Sequence, residues 1–263
     1  MNESRTLADL IRDLGHASQH TRLEAALGLV RDPDGRALDP LLHALCTERD
    51  VFVRDTITRA LAELGGLAVV PLVDRLRDAD PLVRHHAAHA LGKIGDPRAV
   101  DALQACLHDS DAKVVMKAVL ALGQIGDPRA IDALVPLLAH PSREAQSTTV
   151  DVLTRFGPPV VAPLVAALAG SPWEIQEQAA YVLGFVGDAQ AIPALVDALG
   201  HPQWQVRVAA LHALGDLSAT SAREQVAALR ADPDQRVRGM ADRVTRSLGL
   251  RRGIRDPSDQ NVT

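Results

Sequence analysis

Residues 90–103 read ALGKIGDPRAVDAL, and residues 121–134 read ALGQIGDPRAIDAL. Residues 182–195 repeat the phrase as VLGFVGDAQAIPAL. The shared glycine falls at Gly65, Gly95, Gly126, Gly157 and Gly187, and the register runs on through Ser218 to Gly249. Successive steps are 30, 31, 31, 30, 31 and 31 residues. A period held that closely is the mark of a repeat array. Backwards, Arg31 takes the same column after a three-residue insertion around Asp32-Pro33-Asp34-Gly35.

Each unit holds two helical stripes. Val83, Ala87, Ala88, Leu91 and Ile94 recur at spacings of three and four, which makes one helical face. Gly95 supplies the left-handed residue that ends such a helix. Asp96 reads as an N-cap and Pro97 as the first residue of the next helix. Val100, Leu103 and Leu107 form the second stripe. A hairpin of this size cannot bury both stripes alone, so units must stack. Eight pairs are predicted, with second helices centred near Ala26, Thr58, Ala88, Val119, Val150, Ala180, Ala210 and Ala241. A proline recurs early in the first helices, at Pro40, Pro71, Pro163 and Pro193, with Asp101 and Asp132 in that column elsewhere. The fold class is therefore all-α, a solenoid over residues 1–249, with residues 250–263 expected to form a flexible tail.

Composition agrees. Of 263 residues, 47% are hydrophobic but only 2% aromatic, so Leu, Val, Ile and Ala must fill the core. That argues against a β-sandwich. The net charge of −5 disfavours a general nucleic-acid binder. Cys46 and Cys106 are too few for a disulfide framework and read as reduced thiols. The amino terminus is polar, and no run of about 18 apolar residues occurs, so a soluble, cytoplasmic protein without a membrane span is expected.

The segment LVRHHAAHALGKIGDPRAVDAL (residues 82–103) resembles the HEAT-like repeat of phycobiliprotein (bilin) lyases and their relatives, and the resemblance extends over residues 19 to 249. It implies a right-handed α-solenoid with first helices on the convex face and second helices on the concave face. It also implies an Asp–Arg ladder between layers. Asp96, Asp127 and Asp188 stand at the turns inside the units, and Arg54, Arg84, Arg207 and Arg238 stand early in second helices. Val115, Gln146 and Gln176 replace the arginine in the central layers.

Counting along the second helices gives the columns of the concave face. One holds Arg59, His89, Leu120, Asp151, Tyr181 and His212; the next holds Lys93, Arg155 and Phe185 among others. An earlier column holds Asp55, His85, Met116 and Glu177, and His86 adjoins it. Met116, Leu120, Tyr181 and Phe185 place apolar groups on this polar face, a pattern suited to docking a protein segment or an amphiphilic ligand. The alternative is simple packing between layers. Trp173 and Trp204 open consecutive second helices in matching columns and are candidate interface anchors.

His85, His86 and His89 form the one local cluster with metal-like spacing. Only Asp55 is near enough in the pattern to join them, so a polar wall is the simpler reading and His85 and His89 remain weak metal candidates. Deoxyhypusine hydroxylase, built from the same repeats, binds two irons through His-Glu pairs. Here the corresponding dipeptides are His85-His86, Met116-Lys117, Ser147-Thr148, Glu177-Gln178 and Val208-Ala209, and no His-Glu pair occurs anywhere. Phosphate-loop, nucleophile-elbow and zinc-helix motifs are absent as well.

The main expectation is a non-catalytic scaffold that binds a protein or peptide on its concave face, without a cofactor and without nucleic acid or membrane. The alternative is a bilin-lyase-like chaperone or transferase subunit that holds a tetrapyrrole. A metal-dependent hydroxylase comes third.

Overall fold

Short helices in pairs build the chain. The computed structural model describes residues 5–250. Eight pairs of α-helices follow one another: α1 (Leu7–Asp13) with α2 (Gln19–Arg31), α3 (Leu38–Thr47) with α4 (Val51–Glu63), α5 (Val69–Arg75) with α6 (Pro81–Ile94), and α7 (Val100–Ala105) with α8 (Ala112–Ile125). Then come α9 (Ile131–Leu134) with α10 (Arg143–Phe156), α11 (Val161–Gly170) with α12 (Trp173–Val186), α13 (Ile192–Ala198) with α14 (Trp204–Asp216), and α15 (Arg223–Ala228) with α16 (Gln235–Leu250). No strand occurs among the described residues. The chain is an all-α solenoid, and every predicted second-helix centre lies inside its helix. The tail expected at residues 250–263 falls, from 251 onward, outside the described residues.

The starts of α4, α6 and α8 are fixed by aspartate oxygens that accept orphan amide protons. The Asp50 carboxylate accepts from Phe52 N and Val53 N, that of Asp80 from Leu82 N, and that of Asp111 from Lys113 N. Asp96 and Asp127 do the same at the turns inside their units, but for a single 3₁₀ turn, Pro97–Ala99 or Pro128–Ala130, which then opens into the α-helix. Pro97 therefore begins a 3₁₀ turn instead of an α-helix. Gly65, Gly95, Gly126, Gly157 and Gly187 all have positive φ, and Ser218 (φ 52) continues their column. Gly249 does not: it lies within α16. The helix α9 stops early because Pro136 has no amide proton to continue it, and Val135–Ala139 runs on as a 3₁₀ stretch.

Two compact units share the chain. The first takes in the residues up to Ala133 together with Ser142–Thr148; the second takes in Leu134–Pro141 and the residues from Thr149. In the first, α2 packs on α4, α4 on α6 and α6 on α8, while α3, α5 and α7 each back their own second helix. In the second, α12 packs on α14 and α14 on α16, backed by α11, α13 and α15. The cores are aliphatic: Leu41, Leu61, Leu72, Leu91, Leu103 and Leu122 are fully buried in the first, and Leu164, Leu183, Leu195 and Leu211 in the second. Truncating one such leucine to alanine costs about 2–5 kcal/mol. Glycine lets second helices touch. A Cβ on Gly92 would meet Ala121 Cα at 2.8 Å, and one on Gly184 would meet Ala213 Cα at 2.8 Å.

Arginines bind layer to layer, though not as the family pattern implied. Nε and Nη2 of Arg84 donate to Asp109, both at 2.7 Å, and Nη1 donates to the carbonyls of Asp78 and Ala79 at 2.9 and 3.2 Å. Arg207 repeats this on Asp232, at 2.9 Å twice, and on the carbonyls of His201 and Pro202. Arg22 repeats it on Glu48, at 2.6 and 3.0 Å, and on the carbonyls of His16 and Ala17. The acid comes from the turn before the next second helix. Asp96 and Asp127 instead chelate Arg98 and Arg129, two residues on, at the surface, and Asp188 caps Gln190 N. Those surface arginines reach back one layer: Arg98 donates to the Gly66 carbonyl and Arg129 to the Pro97 carbonyl, each at 3.2 Å.

Arg238, in the last pair, keeps the carbonyl bonds alone, to Asp232 and Pro233, and Arg54 departs further. It is 8% exposed, donates from Nη2 to the Glu48 carbonyl, and leaves its Nε buried without a partner. The acid in the equivalent position, Asp78, faces Arg75 at 3.8 Å and accepts from Asp80 N. Where glutamine replaces arginine at position 176, Nε2 keeps one carbonyl bond, to Leu168 at 2.8 Å, and Oε1 has no donor.

Candidate functional site

The first unit carries a cleft of about 460 Å³ on its second helices, lined from α4 through α6 to the start of α8. Histidines make its floor. Three of them stand on α6 because the sequence places them one turn apart or adjacent, on the side away from Val83 and Leu91. The Thr58 hydroxyl donates to the Arg54 carbonyl at 2.8 Å, so its oxygen is free to accept from His86 Nδ1, 3.0 Å away. That places the proton of His86 on Nδ1. His85 Nδ1 donates in turn to the Lys113 carbonyl at 3.3 Å. Both rings keep Nε2 as an acceptor. Their planes meet edge to face, with centroids 5.1 Å apart.

Burial holds these imidazoles neutral. His86, 8% exposed, is pushed down to about 3 by desolvation and by the positive charges around it. His89 is pushed down to about 4, chiefly by burial and then by Lys117 and Lys93. His85 is lowered for the same reason. Lys117 is itself lowered by burial. His89 Nδ1 lies 3.8 Å from Asp55 Oδ1, so the one acidic neighbour foreseen in the sequence is present but loosely placed. Among the described residues no group of three or more His, Cys, Asp or Glu side chains is arranged to hold a metal. Nothing in the geometry supports His85 and His89 as ligands.

One wall of the cleft is apolar and open. Phe52 is 74% exposed, Val51 67% and Leu82 46%, and all three line it. Arg54, Lys113 and Lys117 bring positive charge to the same space. Sequence reading placed none of these six on the groove, although it singled out Arg54 as a ladder arginine. Phe52 and Val51 sit in the first turn of α4, where apolar residues fall outside the core stripe, and Lys117 follows Met116 in a column already counted. Those two signals would have found them.

The remaining predicted residues divide between the units. Arg59 and Lys93 are exposed, and Met116 and Leu120 half-buried, in the first. In the second, Asp151, Arg155 and Phe185 are exposed, and Glu177, Tyr181 and His212 half-buried. Of all the predicted groove residues only His86 is buried, since one step along a helix turns a side chain by about 100°. In the second unit the Tyr181 and His212 rings meet edge to face at 5.6 Å, and His212 Nδ1 lies 2.9 Å from Asp216 Oδ2, out of line for a hydrogen bond. Glu177 is raised by burial and by Glu174, and Tyr181 by burial and by Glu177. Here acids and aromatics stand where the first unit has cations and neutral imidazoles.

Trp173 and Trp204 are both half-buried at the starts of α12 and α14. The Arg236 guanidinium lies over the Trp204 ring, 3.3 Å from its centre, a cation–π contact that ties this tryptophan to the next layer. Cys106 is buried, its thiol pushed up to about 11 by burial, and Cys46 is half-buried. Neither thiol is activated. No single helix among the described residues is long and apolar enough to cross a membrane.

Comparison with known proteins gives the kinship. The phycocyanobilin lyase subunit alpha of Picosynechococcus sp. is 38% identical over 117 residues, covering 41% of this chain and 44% of that protein. The chain thus spans less than half the length of that relative. A chain in the structure of Kap95p with RanGDP superposes with a TM-score of 0.66 at 14% identity, covering 97% of this chain and 42% of that one. That likeness is one of fold. The complex of CpcE and CpcF of phycocyanin lyase from Nostoc sp. PCC7120 is 25% identical over 93% of this chain and 95% of the other, with a TM-score of 0.47. HEAT repeats are matched at residues 69–154 and 161–244, well over half of the sequence. The chain belongs to the HEAT-repeat family.

Proposed function

We propose that this protein is a bilin-lyase-like subunit that holds a tetrapyrrole and works together with a protein partner. The observation that carries the proposal is the 38% identity over 117 residues with a phycocyanobilin lyase subunit. This reading takes precedence over the ligand-free scaffold, which the repeats alone suggest and which fits any member of so versatile a fold.

Chemistry supports it. A bilin combines flat apolar rings, pyrrole N–H donors and propionate carboxylates. The cleft on α4, α6 and α8 combines the exposed Phe52, Val51 and Leu82 with neutral imidazole acceptors and with lysines. Its volume of about 460 Å³ lies within the range usual for small-molecule sites. Handing a bilin to another protein also calls for a second binding surface, and exposed positions on stacked second helices supply such surfaces.

The test is spectroscopic. Phycocyanobilin titrated into the purified full-length protein should shift and sharpen its visible absorption and acquire circular dichroism in the visible range. A spectrum identical to that of free bilin, with and without co-expressed partner candidates, would remove the proposal.

A further inference from the structure

Three of the five arginines in this column meet a carboxylate, and Arg238, in the last helix pair, keeps two carbonyl bonds, to Asp232 and Pro233. Arg22 has Glu48, Arg84 has Asp109 and Arg207 has Asp232. Arg54 has none. Its side chain is more than nine-tenths buried, its Nε has no partner, and it lines the cleft. A buried guanidinium without a counter-charge is costly, and whatever supplies negative charge nearby is stabilised in return.

The rest of the cleft adds to the imbalance. Lys117 is half-buried and makes no ion pair among the described residues. Lys113 is a third cation. Against them stand two acids, Asp55 and Asp111. Asp55 is 65% exposed and faces His89 at 3.8 Å, while Asp111 is committed to capping α8 through Lys113 N. The three histidines are neutral. Three cations against two acids leave an excess of one positive charge beside an exposed apolar wall.

We propose that the α4–α6–α8 cleft is a binding site for an amphiphilic carboxylate. The carboxylate sits at Lys117 and Lys113, where the Arg54 charge adds to the attraction, and the apolar body lies against Phe52, Val51 and Leu82. A single carboxylate matches the single excess charge; a dianionic phosphate would meet Asp55 and Asp111 with charge left over. For the physiological ligand this rests on the tetrapyrrole reading, in which the carboxylate is one propionate of the bilin. The site itself stands on the geometry of the cleft.

Binding to the full chain is measured with two probes: biliverdin, by absorbance, with its dimethyl ester as the carboxylate-free control, and 11-(dansylamino)undecanoic acid, by fluorescence. The variants are Lys117→Met and Phe52→Ser, both at positions outside the core, with thermal melts to verify folding. Charge-assisted hydrogen bonds of this kind are worth enough that Lys117→Met, and esterification of biliverdin, should each weaken binding about tenfold or more. Phe52→Ser should weaken both probes. If the dansyl acid binds through Lys117 but biliverdin does not bind, the site stands and the tetrapyrrole reading fails. If biliverdin binds equally to wild type and both variants, the site is overturned and the tetrapyrrole reading survives. Binding of neither probe by the wild type overturns the site as well.

Discussion

Arg84 and Arg54 occupy the same column of neighbouring second helices and end differently. The first spends all three nitrogens on a carboxylate and two carbonyls of the following and preceding turns. The second keeps one carbonyl, lacks any carboxylate, and buries an idle Nε. The sequence around them differs little, because an acid is available in both cases; Asp78 is simply turned toward Arg75 and the Asp80 amide. A repeat therefore conserves a position without conserving its task. Where the pin is complete the arginine is structural, and where it is incomplete the same residue type leaves charge at a cleft.

The sharpest way to break this contrast is Arg84→Met. It strands Asp109 in a mostly buried setting, with side-chain exposures of 13% for Arg84 and 10% for Asp109, and should cost about 3 kcal/mol in urea unfolding. Adding Asp109→Leu should return a good part of that loss, giving a coupling of about 1 kcal/mol or more in a double-mutant cycle. Additive losses would show that the pair contributes nothing as a pair.

Next in size is an acid effect centred on His86, which Arg54 helps to keep neutral. The folded protein holds His86 near 3, whereas the unfolded chain protonates it near its ordinary value. Below that ordinary value the unfolded chain binds the extra proton, so stability is full at neutral pH and falls as pH drops. From pH 7 to pH 5 this residue should remove roughly 2 kcal/mol. Asp109, which its Arg84 partner holds low, acts in the same direction, but only below the usual carboxylate range. His86→Gln should make the wild-type slope shallower from pH 7 down to about pH 3, leaving the part that His89 and His85, also held low by burial, contribute over the upper range. Equal slopes in the two proteins would locate the effect elsewhere.

The smallest effect is expected at Arg54 itself. With no carboxylate to strand, Arg54→Met should change stability by about 1 kcal/mol or less, in either direction. A loss as large as that of Arg84→Met would mean that the two arginines do the same work, and the contrast would fall.

Much of this architecture was legible in the sequence, and particular residues show where legibility stopped. The glycine column at Gly95, Gly126 and Gly187 announced left-handed helix ends because few other residues adopt that conformation cheaply, and those ends carry it. The same column misled at Gly249, which is helical, since a glycine can also sit inside a helix. The arginines were visible, but their partners were not: Asp109 and Asp232 lie 25 residues downstream, and only the stacking of layers brings them into reach. The histidine cluster was visible as a spacing. Which ring is buried depended on a hydroxyl from a different helix, Thr58. The lysines and the exposed Phe52 wall were hidden because each looks ordinary alone.

The surface arginines carry a further consequence. Arg98 grips the carbonyl of Gly66, and Arg129 that of Pro97, each 32 residues behind it. The same bond thus recurs at a fixed stride, written in nearly identical peptide phrases. Gene duplication or loss that inserts or removes one whole stride would rejoin a donor to an acceptor of the same kind. Chains of this type can therefore vary in length by quanta during evolution, while fractional changes would leave the splice out of register.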